Sequence, residues 1–399
     1  MTNTATSEIT VSSARRWAML AASTLAQAAA AVTIHGPAFL IPVLHERRGL
    51  SLAESGTVAA APTLGVMLTL VVWGAVVDRR GERFVLIVGL AATAVAGVLS
   101  AMADSTALLA LTLFLAGAAA ASTASASGRV VVGWFPPERR GLAMGIRQMA
   151  QPVGVGVGAI SIAVIADRHG ISTALWVPTL AALVALAITA AVVLDPPRPA
   201  RTDAEHVANP YRTDGFLARI HGVSVLLVVP QFLVWTFALV WLTDDRDWSP
   251  AAAGALVGAS QVVGALGRIA AGQLSDMVRS RLRPLRWVAI AAALSMGALG
   301  LTAHLDWGIA VALMVLATTV TVADNGLAFT AVAERAGPFW SGRALGAQNT
   351  AQYLAASAVP PIAGLVVTQW GYAATFAVAA LFPLIAVALV PVRDERALT

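Results

Sequence analysis

The chain has 399 residues, 58% hydrophobic and only 12% charged, with a formal net charge of +5. A soluble domain carries about 25% charged residues, so the composition points to a membrane protein. Cysteine and lysine are both absent, which excludes disulfides, thiolate metal sites, cysteine nucleophiles and Schiff-base chemistry, and makes every basic residue a permanently charged arginine.

The N-terminal MTNTATSEITVSSARRW is polar, then basic. It feeds an apolar run longer than the ~7–15 residue core of a signal peptide, so an uncleaved first span is expected. With about 20 mostly apolar residues needed per crossing, the predicted spans are 17–42, 53–77, 84–102, 107–133, 141–166, 172–194, 217–242, 251–275, 285–303, 307–333, 342–367 and 372–391. Most connections are short. The exception is DPPRPARTDAEHVANPYRTDGF, 195–216, a polar linker at mid-chain. The expected fold is therefore an all-α membrane protein of twelve transmembrane helices. An N-terminal six-helix bundle would cover 1–194, a cytoplasmic linker 195–216, and a C-terminal six-helix bundle 217–399.

Arginine placement sets the orientation. If the N-terminus is cytoplasmic, nineteen of the 26 arginines fall on that side, including Arg198, Arg201 and Arg396. Four, Arg47, Arg48, Arg168 and Arg246, fall outside, and Arg129, Arg147 and Arg268 fall within spans. This bias places both termini in the cytoplasm, with the protein in the cytoplasmic membrane. Tryptophans such as Trp17, Trp134, Trp176 and Trp370 lie near span ends, as an interfacial belt requires. The arginines form no basic face, so the expected partners are the lipid bilayer, protons and a small molecule, and not nucleic acid.

The stretch GAVVDRRGER, 74–83, returns 198 residues later as GQLSDMVRSR, 272–281. AMGIRQMAQ, 143–151, aligns with ALGAQNTAQ, 344–352, at an offset of 201. Two related halves with an even number of spans share one orientation, the parallel-repeat arrangement. In the first copy Gly81 permits a sharp turn. Asp78 ends a helix whose own dipole opposes its charge, so it must find a cation or another helix's N-terminus. A carboxylate held in that way can latch one conformation.

At Gly74, Asp78, Arg79, Gly81 and Arg83 the sequence resembles the major facilitator superfamily. Its hallmark is a Gly-x-x-x-Asp-Arg-x-Gly-Arg-Arg loop between spans 2 and 3, with a decayed copy between spans 8 and 9. Here Glu82 replaces an arginine, and the decayed copy keeps Gly272 and Asp276. The resemblance covers essentially the whole chain. It implies a monomeric alternating-access transporter with a central cavity, in which this loop is a conformational latch and not a substrate site. An enzyme is not expected: phosphate loops, metal-ligand clusters and nucleophile–base pairs are absent from the sequence, and no cofactor is implied.

A charge at mid-bilayer costs roughly 2.5–3.5 kcal/mol on insertion scales. Arg129, Arg147, Arg268 and Asp324 should therefore face a wet cavity, pair, or snorkel. Arg268 shares a helix face with Gln261, and a guanidinium with an amide suits a carboxylate. GRIAAGQLSD also resembles span 8 of oxalate and monocarboxylate transporters, where an arginine meets the substrate anion. The same pattern recurs across the superfamily, so a structural charge pair is the competing reading. Asp324, in TTVTVADNGLAF, is the carboxylate well inside an apolar run. Burial and a neighbouring arginine act on it in opposite senses, which makes it the candidate proton-coupling residue, exchanging partners with Arg268, or else a fixed ion pair. His35, beside a Gly-Pro break, is the second proton candidate, with an outer-interface role as the alternative. Arg129, in GRVVVGWFPPERRG, resembles the span 4 exit of organic-anion porters, and is close enough to the helix end to snorkel.

Arg147, Gln148 and Gln151 in span 5 are expected to line the cavity from one half. Gln348, Asn349, Gln352 and Tyr353 in span 11 would do so from the other, with Gln231 and Trp235 in span 7. Pro152, Pro360 and Pro361 should kink their helices. The expected function is proton-coupled uptake or exchange of a small, monocarboxylate-like organic anion. The rival is a proton-coupled efflux antiporter for drugs or amphiphiles. Against the rival, LTLFLAGAAAA in span 4 lacks the arginine such antiporters usually carry, and QPVGVGVG only partly echoes their span 5 signature.

Overall fold

The computed structural model describes residues 11–50, 52–197 and 209–395. The expected linker falls partly outside them, as do Arg198, Arg201 and Arg396 of the arginine count. Among the described residues every regular element is helical. The first bundle comprises α1 (Ser13–His35), α2 (Ile41–Arg48), α3 (Leu52–Arg80), α4 (Glu82–Ala101), α5 (Thr106–Trp134), α6 (Pro137–Gln148), α7 (Ala150–His169), α8 (Ile171–Ala174) and α9 (Trp176–Val192). After the short α10 (Pro210–Thr213), the second bundle comprises α11 (Phe216–Asp244), α12 (Pro250–Val278), α13 (Leu282–His304), α14 (Ile309–Val320), α15 (Asp324–Ala336), α16 (Ser341–Ala379) and α17 (Leu381–Leu389).

Local chemistry starts and stops these helices. Ser105 and Ser249 cap α5 and α12, accepting from the N–H groups of Leu108 (3.2 Å) and Ala252 (3.3 Å). Gly81 turns the chain from α3 into α4 at φ 102°, a backbone that side-chain-bearing residues rarely adopt. Arg83 then ties α4 to the end of α9 through the Ala190 carbonyl (2.8 Å).

Among the described residues eleven stretches are long and apolar enough to cross a membrane, against the twelve predicted. The last runs 54 residues, Ser341–Asp394. It contains Gly371 at φ 78°, ψ 173°, a non-helical break that redirects the chain. Several spans expected to be continuous are interrupted, and two of the breaks bear on the site. Span 5 breaks at Met149 between α6 and α7, and span 10 turns over Thr321–Ala323 between α14 and α15. The first break lies just ahead of Pro152, whose ring cannot continue regular hydrogen bonding.

Within the first bundle α3 and α4 pack on α5, and α1 packs on α5, α7 and α9. Within the second, α16 packs on α11 and α13, and α13 on α14. The bundles meet crosswise, α3 against α16 and α6 against α12, with α15 also on α6. Large apolar side chains point outward: Ile160 is 77% exposed and Leu294 69%. Arg129, Arg147, Arg268 and Asp324 are all buried. This inversion of the soluble pattern is what a lipid surround demands, where helices associate through small residues and polar contacts.

Gly65 and Gly117 bring α3 and α5 into backbone contact. A Cβ on Gly117 would lie 2.0 Å from the Pro62 carbonyl oxygen, and one on Gly65 2.1 Å from that of Phe114. Gly117→Leu is therefore expected to lower the thermal midpoint in detergent by a few degrees, as overpacking of about 1–3 kcal/mol implies. An unchanged midpoint in size-exclusion thermostability would contradict this contact.

Candidate functional site

The two Gly-x-x-x-Asp motifs build matching closures. Gly74 sits against the first turn of α16: a Cβ there would lie 2.4 Å from the Gly342 oxygen, and one on Gly342 2.5 Å from the Gly74 oxygen. One turn on, Asp78 accepts from the N–H groups of Gly342 (2.9 Å) and Arg343 (3.1 Å), from Arg343 Nε (2.8 Å) and from Arg129 Nη1 (2.8 Å). The second motif repeats this against α6. Gly272 faces Gly141, and Asp276 accepts from the N–H groups of Gly141 (2.9 Å) and Leu142 (2.8 Å) and from Arg281 Nη1 (2.5 Å). The spacing now has a cause. The glycine admits the opposing helix start to backbone contact, and the carboxylate one turn later takes its orphan N–H groups and positive dipole end.

Arg129 does not snorkel. It is 4% exposed and pairs with both Asp78 and Glu82, each at 2.8 Å. Glu82, the departure from the superfamily pattern, thereby adds a second anion beside a buried guanidinium that shares Asp78 with Arg343. Arg79 is exposed and stands outside this cluster. Arg281 and Arg140 add a further cross-bundle link through Glu334, at 3.4 and 3.3 Å.

Beyond the closures lies a cavity between the bundles, with an empty volume of about 580 Å³ that is partly open to solvent. Gln27, Arg147, Gln148 and Gln151 line it from the first bundle. Gln231, Asn325, Asn349, Gln352 and Tyr353 line it from the second, with Val228, Phe232, Phe329 and Ala356. Arg147 is 2% exposed and donates to Ser127 Oγ (2.8 Å), the Ala124 carbonyl (3.1 Å) and Gln148 Oε1 (2.8 Å). Its guanidinium carbon lies 5.8 Å from the centre of the Phe329 ring. All of these partners are neutral, and no ion pair engages Arg147 among the described residues. On the opposite wall, Gln352 Nε2 donates to Asn325 Oδ1 and Asn325 Nδ2 to Gln231 Oε1, both at 3.1 Å. One face of the cavity thus offers a cation, the other a chain of carboxamides.

Of the residues singled out from sequence, Arg147, Gln148, Gln151, Gln231, Asn349, Gln352 and Tyr353 come together here. Arg268, Gln261, Trp235, Gln348, Asp324 and His35 do not line the cavity. Gln348 is fully buried, donating to Ser224 and contacting His221 Nδ1. His221 Nε2 in turn meets the Tyr211 hydroxyl at 2.9 Å. Burial pushes that hydroxyl up to about 12, so it stays protonated. Trp235 packs on Phe232, ring centres 5.4 Å apart. Arg268 donates Nη1 to the Gln148 carbonyl at 2.6 Å. It closes no ion pair with Asp324, whose oxygens receive no side-chain hydrogen bond among the described residues. Gln27 was missed, although its signal was legible: a lone carboxamide in an alanine-rich span, the same cue that marked Gln231.

Residues 21–360 match the family model of the Major Facilitator Superfamily. The chain belongs to that superfamily. It is 46% identical over 380 residues, 95% of its own length and 85% of the relative's, to the uncharacterized MFS-type transporter Rv2994 of Mycobacterium tuberculosis (strain ATCC 25618 / H37Rv). Its fold is shared with the MFS proton:xylose symporter XylE, at TM-score 0.78 and 15% identity, covering 97% of this chain and 98% of that one. The E. coli fucose:proton symporter FucP aligns at TM-score 0.74 and 12% identity over 94% and 98% of the two chains. The human organic anion transporter MFSD10 aligns at 0.71 and 18% over 95% and 100%. As a major facilitator protein it is a multi-pass secondary transporter working by alternating access, and not an enzyme. In this conformation both closures of the major facilitator fold are engaged, so the arginine-rich end is sealed.

Proposed function

We propose that this transporter carries a small organic anion together with a proton, and that Arg147 holds the anion. One observation supports this reading above the others: a buried guanidinium borders the cavity with only neutral partners. A charge taken out of water without a counterion costs several kcal/mol. A carboxylate entering the cavity offsets that cost through paired, charge-assisted hydrogen bonds. The carboxamide chain opposite supplies donors and acceptors for the ligand's uncharged polar groups. Asp324 is the proton carrier in this reading. It is buried, its oxygens take no side-chain hydrogen bond among the described residues, and Arg268 lies within electrostatic reach. A cationic drug would instead meet the like charge of Arg147, which argues against the efflux reading. The arginine bias puts the sealed end and both termini in the cytoplasm.

Counterflow in proteoliposomes, across small carboxylates, sugars and cationic dyes with a pH gradient on or off, tests the reading. Carboxylates are expected to exchange, and an inward proton gradient to drive their accumulation. Exchange of dyes alone would refute it. Asp324→Asn is expected to keep carboxylate counterflow while losing accumulation driven by the pH gradient. Gradient-driven accumulation at the parental level in this variant would remove Asp324 from proton coupling.

A further inference from the structure

Gln148 ends α6, and the residue four further on is Pro152. Proline has no N–H, so the Gln148 carbonyl lacks its regular helical donor. The group that donates to it comes from the other bundle: Arg268 Nη1 of α12, at 2.6 Å. The backbones touch at the same place, since a Cβ on Gly145 would lie 2.6 Å from the Arg268 carbonyl oxygen.

The internal repeat provides a control. By the offsets of 201 and 198, Gly145, Gln148 and Pro152 correspond to Gly346, Asn349 and Tyr353, and Arg268 to Leu70. The equivalent backbone contact exists, with a Cβ on Gly346 lying 2.6 Å from the Leu70 carbonyl oxygen. There, however, Tyr353 keeps its N–H, and the facing Leu70 has nothing to donate. The deprived carbonyl and the guanidinium occur together, on one of two otherwise matching interfaces.

Arg268 also has somewhere to go. Its Nε has no acceptor, and neither Asp324 oxygen has a hydrogen-bond donor from a side chain among the described residues. Asp324 opens α15, which packs at the same spot: a Cβ on Gly326 would lie 3.6 Å from Gly145 Cα. Arg268 and Asp324 both belong to the second bundle, whereas Gln148 leaves with the first.

We propose that Arg268 is a positioning residue that locks the sealed end by satisfying the carbonyl Pro152 leaves bare, and that Asp324 receives its guanidinium when the bundles part. The lock is one-sided: the α3–α16 interface closes without it. Opening costs the Arg268–Gln148 bond and returns an Arg268–Asp324 pair. This role differs from a substrate ligand, because it acts in the empty transporter.

The chain's lack of cysteine allows a direct test. Ser275 is fully buried where α12 meets α6, so Ser275→Cys places a one-atom change at the closed interface. The rate of its labelling by a water-soluble maleimide, in the purified full-length protein without substrate, reports opening. Asp324→Asn, which removes the open-state partner, is expected to slow labelling. In that background Arg268→Leu, which installs the residue of the matching interface, is expected to speed labelling about tenfold, as loss of a charged hydrogen bond implies. Pro152→Ala, which restores the helical N–H, is expected to speed it as well, and beside both changes Arg268→Leu adds little. Arg268→Lys keeps the slow rate. An Arg268→Leu that leaves the rate of Asp324→Asn unchanged would overturn the proposal. So would an effect of Arg268→Leu that is undiminished beside Pro152→Ala, or faster labelling in Asp324→Asn.

Discussion

Arg147→Gln is expected to cut anion transport by about 100-fold or more while leaving the protein at least as heat-stable as the parent. Truncating one partner of a buried charge pair costs about 2–5 kcal/mol, and each 1.4 kcal/mol is a factor of about ten. The same change removes a buried cation that has no counterion in the empty cavity. Glutamine is also what the repeat places at the equivalent position, Gln348. The variant loses the hydrogen bonds of Arg147 to Ser127 and Ala124, but it also sheds the desolvation cost of the charge. Opposite signs for function and stability separate a binding residue from a structural one. The measurements are carboxylate counterflow and the thermal midpoint. Parental counterflow would move the anion site elsewhere, and a midpoint several degrees lower would mark Arg147 as structural.

Asp78→Asn is expected to open the arginine-rich end and reduce transport by about tenfold to 100-fold. Among the described residues Asp78 takes two hydrogen bonds from the start of α16 and two from guanidinium groups, and its side chain is almost wholly buried. Neutralising it removes the carboxylate that Arg129 and Arg343 share, while Arg129 keeps Glu82. Removing one partner of a buried ion pair costs about 3–5 kcal/mol, and that cost falls on the sealed conformation alone. Asp276→Asn should act in the same direction but less strongly, because among the described residues Asp276 holds one guanidinium where Asp78 holds two. Ser341, buried at the start of α16, is the place for a reporter cysteine at this closure. Parental labelling of Ser341→Cys in the Asp78→Asn background would rule out the latch role.

Much of the architecture was legible along the chain because it rests on local properties. Hydropathy over about 20 residues marks a crossing, and helical period marks a face. The two Gly-x-x-x-Asp copies, the position of Gly81, and the carboxamides at Gln148, Gln151, Gln231, Asn349 and Gln352 were all readable in that way. The partners of the three intramembrane arginines were not. By position Arg129 could snorkel, Arg268 could meet an anion, and Arg147 was expected at the cavity but with nothing to say which groups would surround it. In the structure Arg129 is held by Asp78 and Glu82, Arg268 is turned to a carbonyl in the other bundle, and Arg147 borders the cavity unneutralised. A sequence tells which residues share a helix face. Which face meets which neighbour depends on how two bundles cross, and here also on a proline that bares one carbonyl. Those are contacts between segments tens to hundreds of residues apart, so only the folded chain decides them.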